Sequence, residues 1–390
     1  METLFYRYNP WWEGKLNLEG IIERSKPLSI MRRNLQTKQI VLLTGLRRVG
    51  KTTLLKLFIK SLIERENIDA KHIFYISLDD YLLTKKSIIE IVDEFRSINK
   101  ISFKEKVYLF FDEITYKKDF ELQLKNLYDS QEVKIYASSS SASVLRSRKP
   151  YLTGRHVTLE IMPLDFQEYL IFKQINIQKS DQHLVASHFE GFLFTGGLPE
   201  YVLHGDIEYL KELVDDIIYK DIASFYKIRK PQILKDYFVL LMERAGKVVS
   251  INKIAHILKI SPDTAKRYLK MFADTYLIYL VSRHGKTNDN ILAPKKIYAA
   301  DLGVRCMFTG NRDKGSLFEN YIYLKIKDEN PKYLYQDGTE IDYLTEDKTL
   351  IEVKYGKDLN EIQEKLFKKF KADKKVIIKS NYDLEKYLEK

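Results

Sequence analysis

Apolar residues follow two different spacings along the first part of the chain. Short continuous apolar runs, typical of buried strands, are followed by segments in which apolar residues recur at helical spacing. The strand candidates are residues 40–44, 72–78, 106–111 and 132–138, and the helix candidates are residues 53–65, 88–95 and 121–128. Strands and helices that alternate in this order predict a doubly wound parallel sheet with helices on both faces. The fold class expected for residues 1–162 is therefore α/β.

Three further segments follow, and each has its own pattern. Residues 163–228 show only helical spacing and predict a helical lid. Residues 229–300 contain two short helix candidates and then two strand candidates, which is the order expected of a winged helix. Residues 301–390 return to strands mixed with helices and predict a separate α/β domain. A chain of 390 residues is long enough for these four domains.

Basic residues outnumber acidic ones, and the formal net charge is +11. Such a balance favours a polyanionic partner, and DNA is the partner we expect. The alternative is that the lysines only solvate a protein rich in Ile and Tyr. The longest apolar runs are too short to span a bilayer, so we expect a cytoplasmic protein that does not enter a membrane. The single cysteine, Cys306, cannot form an internal disulfide.

A glycine-rich stretch lies between the first strand candidate and the helix that follows it. Its spacing is that of the phosphate-binding loop G-x-x-x-x-G-K-T. Such glycines let the backbone curl, so that N–H groups and the helix N-terminus point at one anionic group. Lys51 would reach the β- and γ-phosphates of ATP, and the Thr52 hydroxyl would bind Mg²⁺. The expected ATP-binding residues are Gly45, Leu46, Arg47, Arg48, Val49, Gly50, Lys51, Thr52 and Thr53.

Two carboxylates follow the apolar strand candidate at residues 106–111. Asp112 and Glu113 would lie at the carboxyl end of a parallel strand, which is where ligands bind in sheets of this kind. We expect Asp112 to orient the Mg²⁺ of ATP through water, and Glu113 to polarise the attacking water. Lys51 and Glu113 are thus the predicted catalytic residues of this centre.

The order of several motifs resembles the AAA+ ATPases of archaea and bacteria that carry a C-terminal domain of unknown function. The matching motifs are Asn9–Trp12, Gly45–Thr53, Asp112–Ile114, Leu152–Arg155 and Gly196–Glu200. The resemblance implies a protein that binds and hydrolyses ATP. It also implies a homo-oligomer, for which a hexamer is one candidate form.

The same resemblance implies roles for four more residues. A polar sensor of the γ-phosphate would be Ser138 or Ser139, although serines here can equally cap the next helix. Arg155 would act on the γ-phosphate of a neighbouring subunit, and the alternative for this residue is a surface ion pair. Pro199 would pack near the adenine.

The second helix of the predicted winged helix leaves basic side chains outside its apolar stripe. Ser261 is expected to cap this helix, with Pro262 at its first position. The candidates for DNA contact in a major groove are Lys266, Arg267 and Lys270. The alternative is a packing or oligomerisation module, because winged helices attached to ATPases also serve in that way.

A second acidic motif lies near the C-terminus, where Asp342, Glu352 and Lys354 have the spacing D-x9-E-x-K. Glu352 and Lys354 would share one face of a strand, and Glu319 on a preceding helix could add a carboxylate. Three carboxylates together favour binding of a divalent cation, Mg²⁺ or Mn²⁺. The motif resembles the restriction-endonuclease-like superfamily, which implies metal ligation by Glu319, Asp342 and Glu352 and catalysis by Glu352 and Lys354. The alternative is an ordinary solvated strand.

Two functions are compatible with these residues. The first is an ATPase that acts on or with DNA and carries a metal-dependent nuclease domain. The second is an ATP-gated regulatory switch whose winged-helix and nuclease-like domains bind partners without catalysis. The preferred form of DNA, the biological process and the subunit number do not follow from the sequence.

Overall fold

The computed structural model describes residues 1–16, 18–140, 151–286, 290, 293–336 and 338–389. Contacts within the chain divide it into two compact units, residues 1–162 and residues 163–390. Within the described residues, no helix is both long enough and apolar enough to cross a membrane.

Five parallel strands form the sheet of the first unit. They are β1 (Ile40–Thr44), β2 (Ile73–Ser77), β3 (Val107–Asp112), β4 (Val133–Ser138) and β5 (His156–Glu160). The strands lie in the order β2, β3, β4, β1, β5, and each neighbouring pair is parallel. The predicted α/β fold with a parallel sheet is confirmed. The carboxyl ends of β1 and β3 therefore lie on either side of β4, at one edge of the sheet.

The apolar pattern does not predict strand β5. Among the described residues, this strand lies at the edge of the sheet and pairs only with β1. Its sequence His-Val-Thr-Leu-Glu is mixed, and four of its five residues are half-buried. A strand in this position has no need of a continuous apolar run, because one of its sides has no neighbouring strand.

Five helices accompany this sheet among the described residues. They are α1 (Glu2–Tyr8), α2 (Ser25–Arg33), α3 (Lys51–Glu64), α4 (Ile88–Asn99) and α5 (Phe120–Ser130). Helix α3 begins at the lysine of the glycine-rich stretch, and it buries Leu54, Leu55 and Phe58. Helix α4 begins with a capping box formed by Ser87 and Glu90.

The segment after α1 covers the outer edge of β2. The Asn9 side chain donates to the carbonyl of Tyr75 at 2.9 Å and accepts from the Tyr75 N–H at 2.6 Å. The indole N–H groups of Trp11 and Trp12 both donate to the carbonyl of Ile73. These contacts satisfy backbone groups that an edge strand otherwise leaves unpaired.

The second unit begins with helices, as the spacing in residues 163–228 predicts. They are α6 (Phe166–Phe172), α7 (Val185–Thr195), α8 (Pro199–His204), α9 (Ile207–Asp215) and a π-helix (Asp216–Ser224). Three more helices and a two-stranded antiparallel sheet follow. They are α10 (Gln232–Met242), α11 (Ile251–Leu258), α12 (Pro262–Asp274), β6 (Ile278–Val281) and β7 (Lys296–Ala299). The Ser261 hydroxyl accepts from the Thr264 N–H at 3.2 Å, which confirms the predicted cap of α12.

A four-stranded mixed sheet forms the last part of the chain. Its strands are β8 (Lys332–Gln336), β9 (Thr339–Leu344), β10 (Thr349–Val353) and β11 (Lys374–Ile378). They lie in the order β11, β10, β9, β8, and only β10 and β11 are parallel. The helices of this region are α13 (Leu302–Thr309), α14 (Lys314–Ile326), α15 (Glu361–Lys369) and α16 (Asn381–Leu388).

Candidate nucleotide site and C-terminal acidic centre

The glycine-rich stretch forms a tight loop between β1 and α3. Gly45 has a φ of 129° and Gly50 a φ of 95°, which are values that residues with side chains rarely adopt. A side-chain carbon at Gly45 would also collide with the carbonyl oxygen of Ile161. The loop thus requires glycine at both predicted positions, and it has the strand–loop–helix context of a phosphate-binding loop.

Lys51 lies folded over this loop. Its ammonium donates to the carbonyls of Gly45 at 3.0 Å and Leu46 at 2.9 Å, and the residue is buried. Neutral carbonyls hold the ammonium beside the place where the loop N–H groups would bind phosphate. The lysine is therefore positioned for the role that the sequence predicts.

Asp112 lies at the end of β3 among three hydroxyl groups. The Thr52 hydroxyl donates to one Asp112 oxygen at 2.6 Å, and the Tyr75 hydroxyl donates to the same oxygen at 3.0 Å. The Ser138 hydroxyl donates to the other oxygen. The structure thus brings together Thr52 and Asp112, the two predicted contributors to a Mg²⁺ site, across 60 residues of sequence. Both offer hard oxygen atoms, which fit Mg²⁺.

Glu113 follows Asp112 in a left-handed backbone conformation, with a φ of 49°. Its carboxylate accepts from the Ser140 hydroxyl at 2.7 Å, and its N–H donates to the Ser138 hydroxyl at 3.1 Å. Burial raises the pKa of Glu113, and the charge of Lys51 opposes that rise. A raised pKa makes this carboxylate a stronger base than an ordinary surface glutamate.

The serines at the end of β4 have distinct contacts. Ser138 contacts both acids, whereas the Ser139 hydroxyl donates to the Thr115 hydroxyl at 3.3 Å. Ser140 contacts Glu113 directly, although it was not among the predicted residues. The run of four serines at 138–141 was the signal that could have included it.

Two more residues at this site were missed by the sequence analysis. Tyr75 reaches Asp112 from the neighbouring strand β2, and the Arg24 guanidinium donates to the carbonyl of Val49 at 3.2 Å. Arg24 is 7% exposed and braces the phosphate-binding loop from the segment before β1. No motif marks either residue, because their roles depend on tertiary contacts.

Arg155 forms an ion pair within its own unit. Its Nε atom lies 3.2 Å from the Asp129 carboxylate, and its guanidinium lies over the Tyr128 ring at 5.8 Å. This is the alternative that the sequence left open for the residue. A role on a neighbouring subunit stays a prediction.

Pro199 begins helix α8 in the second unit, after two closely packed glycines. A side-chain carbon at Gly197 would collide with the Leu164 carbonyl, and the Gly197 N–H donates to the Asp301 carboxylate at 2.7 Å. Local packing thus explains the glycines of this motif. Contact of Pro199 with adenine stays a prediction.

The three predicted DNA-contact residues are exposed on helix α12. Arg267 and Lys270 line a cavity of about 470 Å³. Lys266 lies outside it. The structure therefore groups only two of these three side chains around one concave surface.

The C-terminal acidic residues also meet. Asp342 on β9 and Glu352 on β10 are joined through the Asp342 N–H, which donates to the Glu352 carboxylate at 3.1 Å. Lys354 pairs with Glu352 at 2.8 Å. Glu319 on α14, Asp342 and Lys354 line one cavity of about 560 Å³.

A lysine that the sequence analysis did not include occupies this acidic centre. The Lys296 ammonium lies 2.8 Å from Glu319, 2.6 Å from Glu340 and 3.1 Å from Asp342. The lysine is 1% exposed, and the three carboxylates raise its pKa well above the usual value against the effect of burial. Lys296 is therefore charged, and it supplies the cation that gathers these carboxylates.

Protein donors also reach two of these carboxylates: the Asp342 oxygen that Lys296 leaves free, and the Glu319 oxygen that Lys296 already contacts. Asp342 accepts from the Val353 N–H at 2.9 Å, and Glu319 accepts from the Tyr298 hydroxyl at 2.6 Å. Among the described residues, no three His, Cys, Asp or Glu side chains are arranged to hold a metal ion. As arranged here, the C-terminal centre does not fit a divalent cation, because an ammonium lies between its carboxylates.

Comparison with known proteins shows which family the chain belongs to. Residues 37–170 match the model of an AAA domain, and residues 186–315 match a domain of unknown function, DUF8612. The uncharacterized protein MJ1544 of Methanocaldococcus jannaschii is 30% identical over 383 residues, which cover 91% of this chain and 83% of that protein. The chain belongs to the MJ1544 family of AAA-domain proteins. Its glycine-rich loop and the acids Asp112 and Glu113 lie within the residues that the AAA-domain model matches.

Other relatives of this AAA-domain protein have less identity. MJ1637 of the same organism, also uncharacterized, is 25% identical over 391 residues, with 89% of this chain and 82% of that protein covered. The Walker-type ATPase PABY2304 of Pyrococcus abyssi has a TM-score of 0.45 and 18% identity, with 76% of this chain and 98% of that chain covered. These matches assign no role to any residue of this chain.

Proposed function

We propose that this AAA-domain protein binds ATP with Mg²⁺ and hydrolyses it. The observation that carries the proposal is the hydrogen bond between Thr52 and Asp112, beside a lysine held over a glycine loop. Lys51 and Thr52 come from the start of α3 and Asp112 from the end of β3, and the three groups meet at one edge of the sheet. Such a meeting of hydroxyl, carboxylate and ammonium suits a metal-bound polyphosphate.

Each group has a definite task in this proposal. The bound Mg²⁺ would neutralise charge on the β- and γ-phosphates. The loop N–H groups and Lys51 bind phosphate oxygens, and Asp112 and Thr52 present their oxygens to the metal or to its waters. Glu113 accepts a proton from the attacking water, while Ser138 and Ser140 hold the two acids in place.

A matched pair of lysine variants tests this function. We expect Lys51→Ala to abolish ATP binding and hydrolysis, measured with the purified full chain and Mg²⁺. Lys60→Ala is the control, because Lys60 belongs to the same helix and lies outside the loop. The proposal fails if Lys51→Ala consumes ATP as fast as the parent chain.

We also propose that the ATPase acts with DNA. The net charge of +11 and the exposed cations of α12 support this partner. Stimulation of ATP hydrolysis by DNA is the expected result. The alternative, an ATP-gated regulatory switch, predicts slow hydrolysis that is indifferent to DNA and an oligomeric state that follows the bound nucleotide.

The buried Lys296 favours a non-cutting role for the C-terminal domain. Its ammonium holds the carboxylates that a nuclease would offer to Mg²⁺ or Mn²⁺. We expect no Mn²⁺-dependent cleavage of branched, duplex or single-stranded DNA by the parent chain. Cleavage that Asp342→Ala abolishes would instead support the nuclease hypothesis.

Several finer proposals rest on the resemblance. A homo-oligomer, such as a hexamer, is needed if Arg155 acts on a neighbour's nucleotide, and the ion pair with Asp129 must then open. The proposed domains are the ATPase core (1–162), the lid (163–228), the winged helix (229–300) and the restriction-endonuclease-like domain (301–390). A cytoplasmic location stays a prediction.

A further inference from the structure

A basic cavity of about 470 Å³ lies between helix α12 and the segment that follows the π-helix. Four of its lining residues are cations, namely Lys227, Arg229, Arg267 and Lys270. Lys227 and Arg229 come from the connecting segment, and Arg267 and Lys270 come from one face of α12. One carboxylate, the buried Asp274, also lines the cavity.

The four cations of this cavity form no ion pair with any described residue. Nearby lysines behave differently, since Lys220 pairs with Asp216 and Lys235 pairs with Asp215. Four like charges around one concave surface repel each other and focus a positive potential into it. This arrangement is typical of a site that receives an anion.

Two exposed aromatic residues directly precede Lys227 in the chain, and the second of them, Tyr226, lines the cavity. Phe225 is 60% exposed and Tyr226 is 37% exposed, and their ring centroids are 5.0 Å apart in an edge-to-face arrangement. They directly follow the π-helix Asp216–Ser224, and π-helical turns occur frequently at functional sites. Lys227 then adopts a left-handed φ of 53°, so the chain turns sharply at the cavity.

We propose that this cavity binds single-stranded nucleic acid, with phosphates on Lys227, Arg229, Arg267 and Lys270 and a base stacked on Phe225. The proposal rests on the proposed action with DNA and narrows it to one form of partner. Sites that bind a single strand combine two components. Cationic side chains contact the phosphates of the nucleic-acid backbone, and aromatic side chains stack against its bases. The stacked bases of a duplex are not available to an aromatic ring at the surface, so this surface favours an unpaired strand.

Fluorescence anisotropy with a labelled oligothymidylate of roughly 16 nucleotides tests the cavity. We expect Phe225→Ala to weaken binding about 5- to 150-fold, because stacking of one base contributes an effect of that size. Phe225→Trp should restore it. Tyr382→Ala is the matched control, because Tyr382 is 75% exposed on α16 and, unlike Phe225, is not adjacent in the chain to any residue that lines the cavity.

The charges have their own readout in the salt dependence of binding. For the double variant Arg267→Ala and Lys270→Ala, the slope of log K against log salt should become shallower by about 1.4, since each contact contributes about 0.7. Lys365→Ala removes an exposed lysine from helix α15, outside the cavity, and it should leave the slope unchanged. An oligouridylate of equal length shows whether DNA or RNA is preferred.

Four outcomes would overturn the proposal, and they separate it from the wider function. Single-strand binding that the cavity variants leave intact overturns the cavity alone. Tighter binding of duplex DNA, with the same loss in the variants, overturns the choice of an unpaired strand. Binding of vesicles with anionic lipid in place of any oligonucleotide overturns nucleic acid as the ligand. Absence of binding to any DNA or RNA overturns the proposed action with DNA as well. None of the four outcomes bears on the proposal that the protein hydrolyses ATP.

Discussion

The two acidic centres of this chain hold their carboxylates in different ways. Beside the phosphate-binding loop, Asp112 accepts from the hydroxyls of Thr52, Tyr75 and Ser138. In the C-terminal centre, Asp342 is held by the ammonium of Lys296. A hydroxyl is a neutral donor that leaves the carboxylate charged, whereas a buried ammonium cancels that charge.

The difference teaches that an acidic motif does not by itself define a metal site. Both centres include a carboxylate on a β-strand, and both have a nearby lysine. In the first, Lys51 donates to backbone carbonyls, so the acid keeps its charge for a metal that arrives with ATP. In the second, the fold supplies its own cation, Lys296. The cation already present determines whether a divalent ion can enter.

The largest expected effect concerns the base of the first centre. Glu113→Gln should lower kcat for ATP hydrolysis about 10²- to 10⁴-fold, because the variant cannot accept a proton from water. ATP binding should persist, since Lys51 and Asp112 are unchanged. Steady-state hydrolysis and equilibrium binding of a labelled ATP analogue measure the two effects separately.

Glu94→Gln is the control for this variant. Glu94 pairs with Lys86 and lies on helix α4, away from the loop. If Glu113→Gln retains the parent kcat, Glu113 is not the base that accepts a proton from water. The first centre would then not differ from the second in catalysis.

The second prediction removes the internal cation of the C-terminal centre. Lys296→Ala should lower the free energy of unfolding by about 3–5 kcal/mol, because it leaves buried carboxylates without their partner. Mn²⁺ should then raise the melting temperature of the variant and not that of the parent chain, since only the variant has room for a divalent cation. Thermal unfolding with and without Mn²⁺ measures both effects.

Lys235→Ala removes a lysine from a half-exposed pair with Asp215 in the same unit, and it should cost no more than about 1 kcal/mol. Equal losses of unfolding free energy in the two variants would mean that Lys296 stabilises the fold no more than a lysine in a half-exposed ion pair. Tight Mn²⁺ binding by the parent chain would show that the ammonium does not keep the metal out.

The sequence predicts the first centre better than the second for a physical reason. The phosphate-binding loop is contiguous, and parallel strands bring their carboxyl ends to one edge, so Lys51, Thr52 and Asp112 could be placed together. Tyr75 could not be placed there, because local spacing does not tell which strand lies beside β3.

Lys296 illustrates a further limit. Its strand β7 was predicted, and so was the motif of Asp342, but the two lie 46 residues apart and in different sheets. The ammonium enters the acidic centre only through tertiary packing. An apolar strand that contains a lysine was the available signal, since a fully buried lysine requires acidic partners.

A third buried carboxylate, Asp301, extends the comparison, because backbone N–H groups hold it. They include those of Gly197 at 2.7 Å and Val304 at 2.9 Å. Burial nevertheless raises the pKa of Asp301 from 3.8 to about 6. The folded chain therefore binds a proton between these values that the unfolded chain has lost, and stability should fall as pH rises through this window.

Asp301→Asn should remove this part of the pH dependence. The free energy of unfolding of the parent chain, relative to the variant, should decrease by on the order of 3 kcal/mol from about pH 4 to about pH 6 and then stay level. Urea unfolding at several pH values measures the difference. A relative stability that rises over this range would mean that the N–H groups outweigh burial.

The smallest effect is expected from the Tyr75 hydroxyl of the first centre. Tyr75 donates to Asp112, and burial raises the pKa of the phenol far above its usual value, so the group stays a neutral donor. Tyr75→Phe should raise the Mg²⁺ concentration for half-maximal ATP hydrolysis about 2- to 12-fold, the equivalent of one hydrogen bond. The value of kcat should not change, because Glu113 is untouched.

Tyr136→Phe distinguishes this positioning role from a loss of stability. Tyr136 is also fully buried in the same sheet, and its hydroxyl donates to the Met31 carbonyl at 3.1 Å, away from Asp112. Both variants should lose stability to a similar extent, and only Tyr75→Phe should shift the Mg²⁺ dependence. An equal shift of the Mg²⁺ dependence in both variants would mean that the hydroxyl groups around Asp112 only stabilise the fold. The idea that neutral donors position Asp112 for Mg²⁺ would then be wrong.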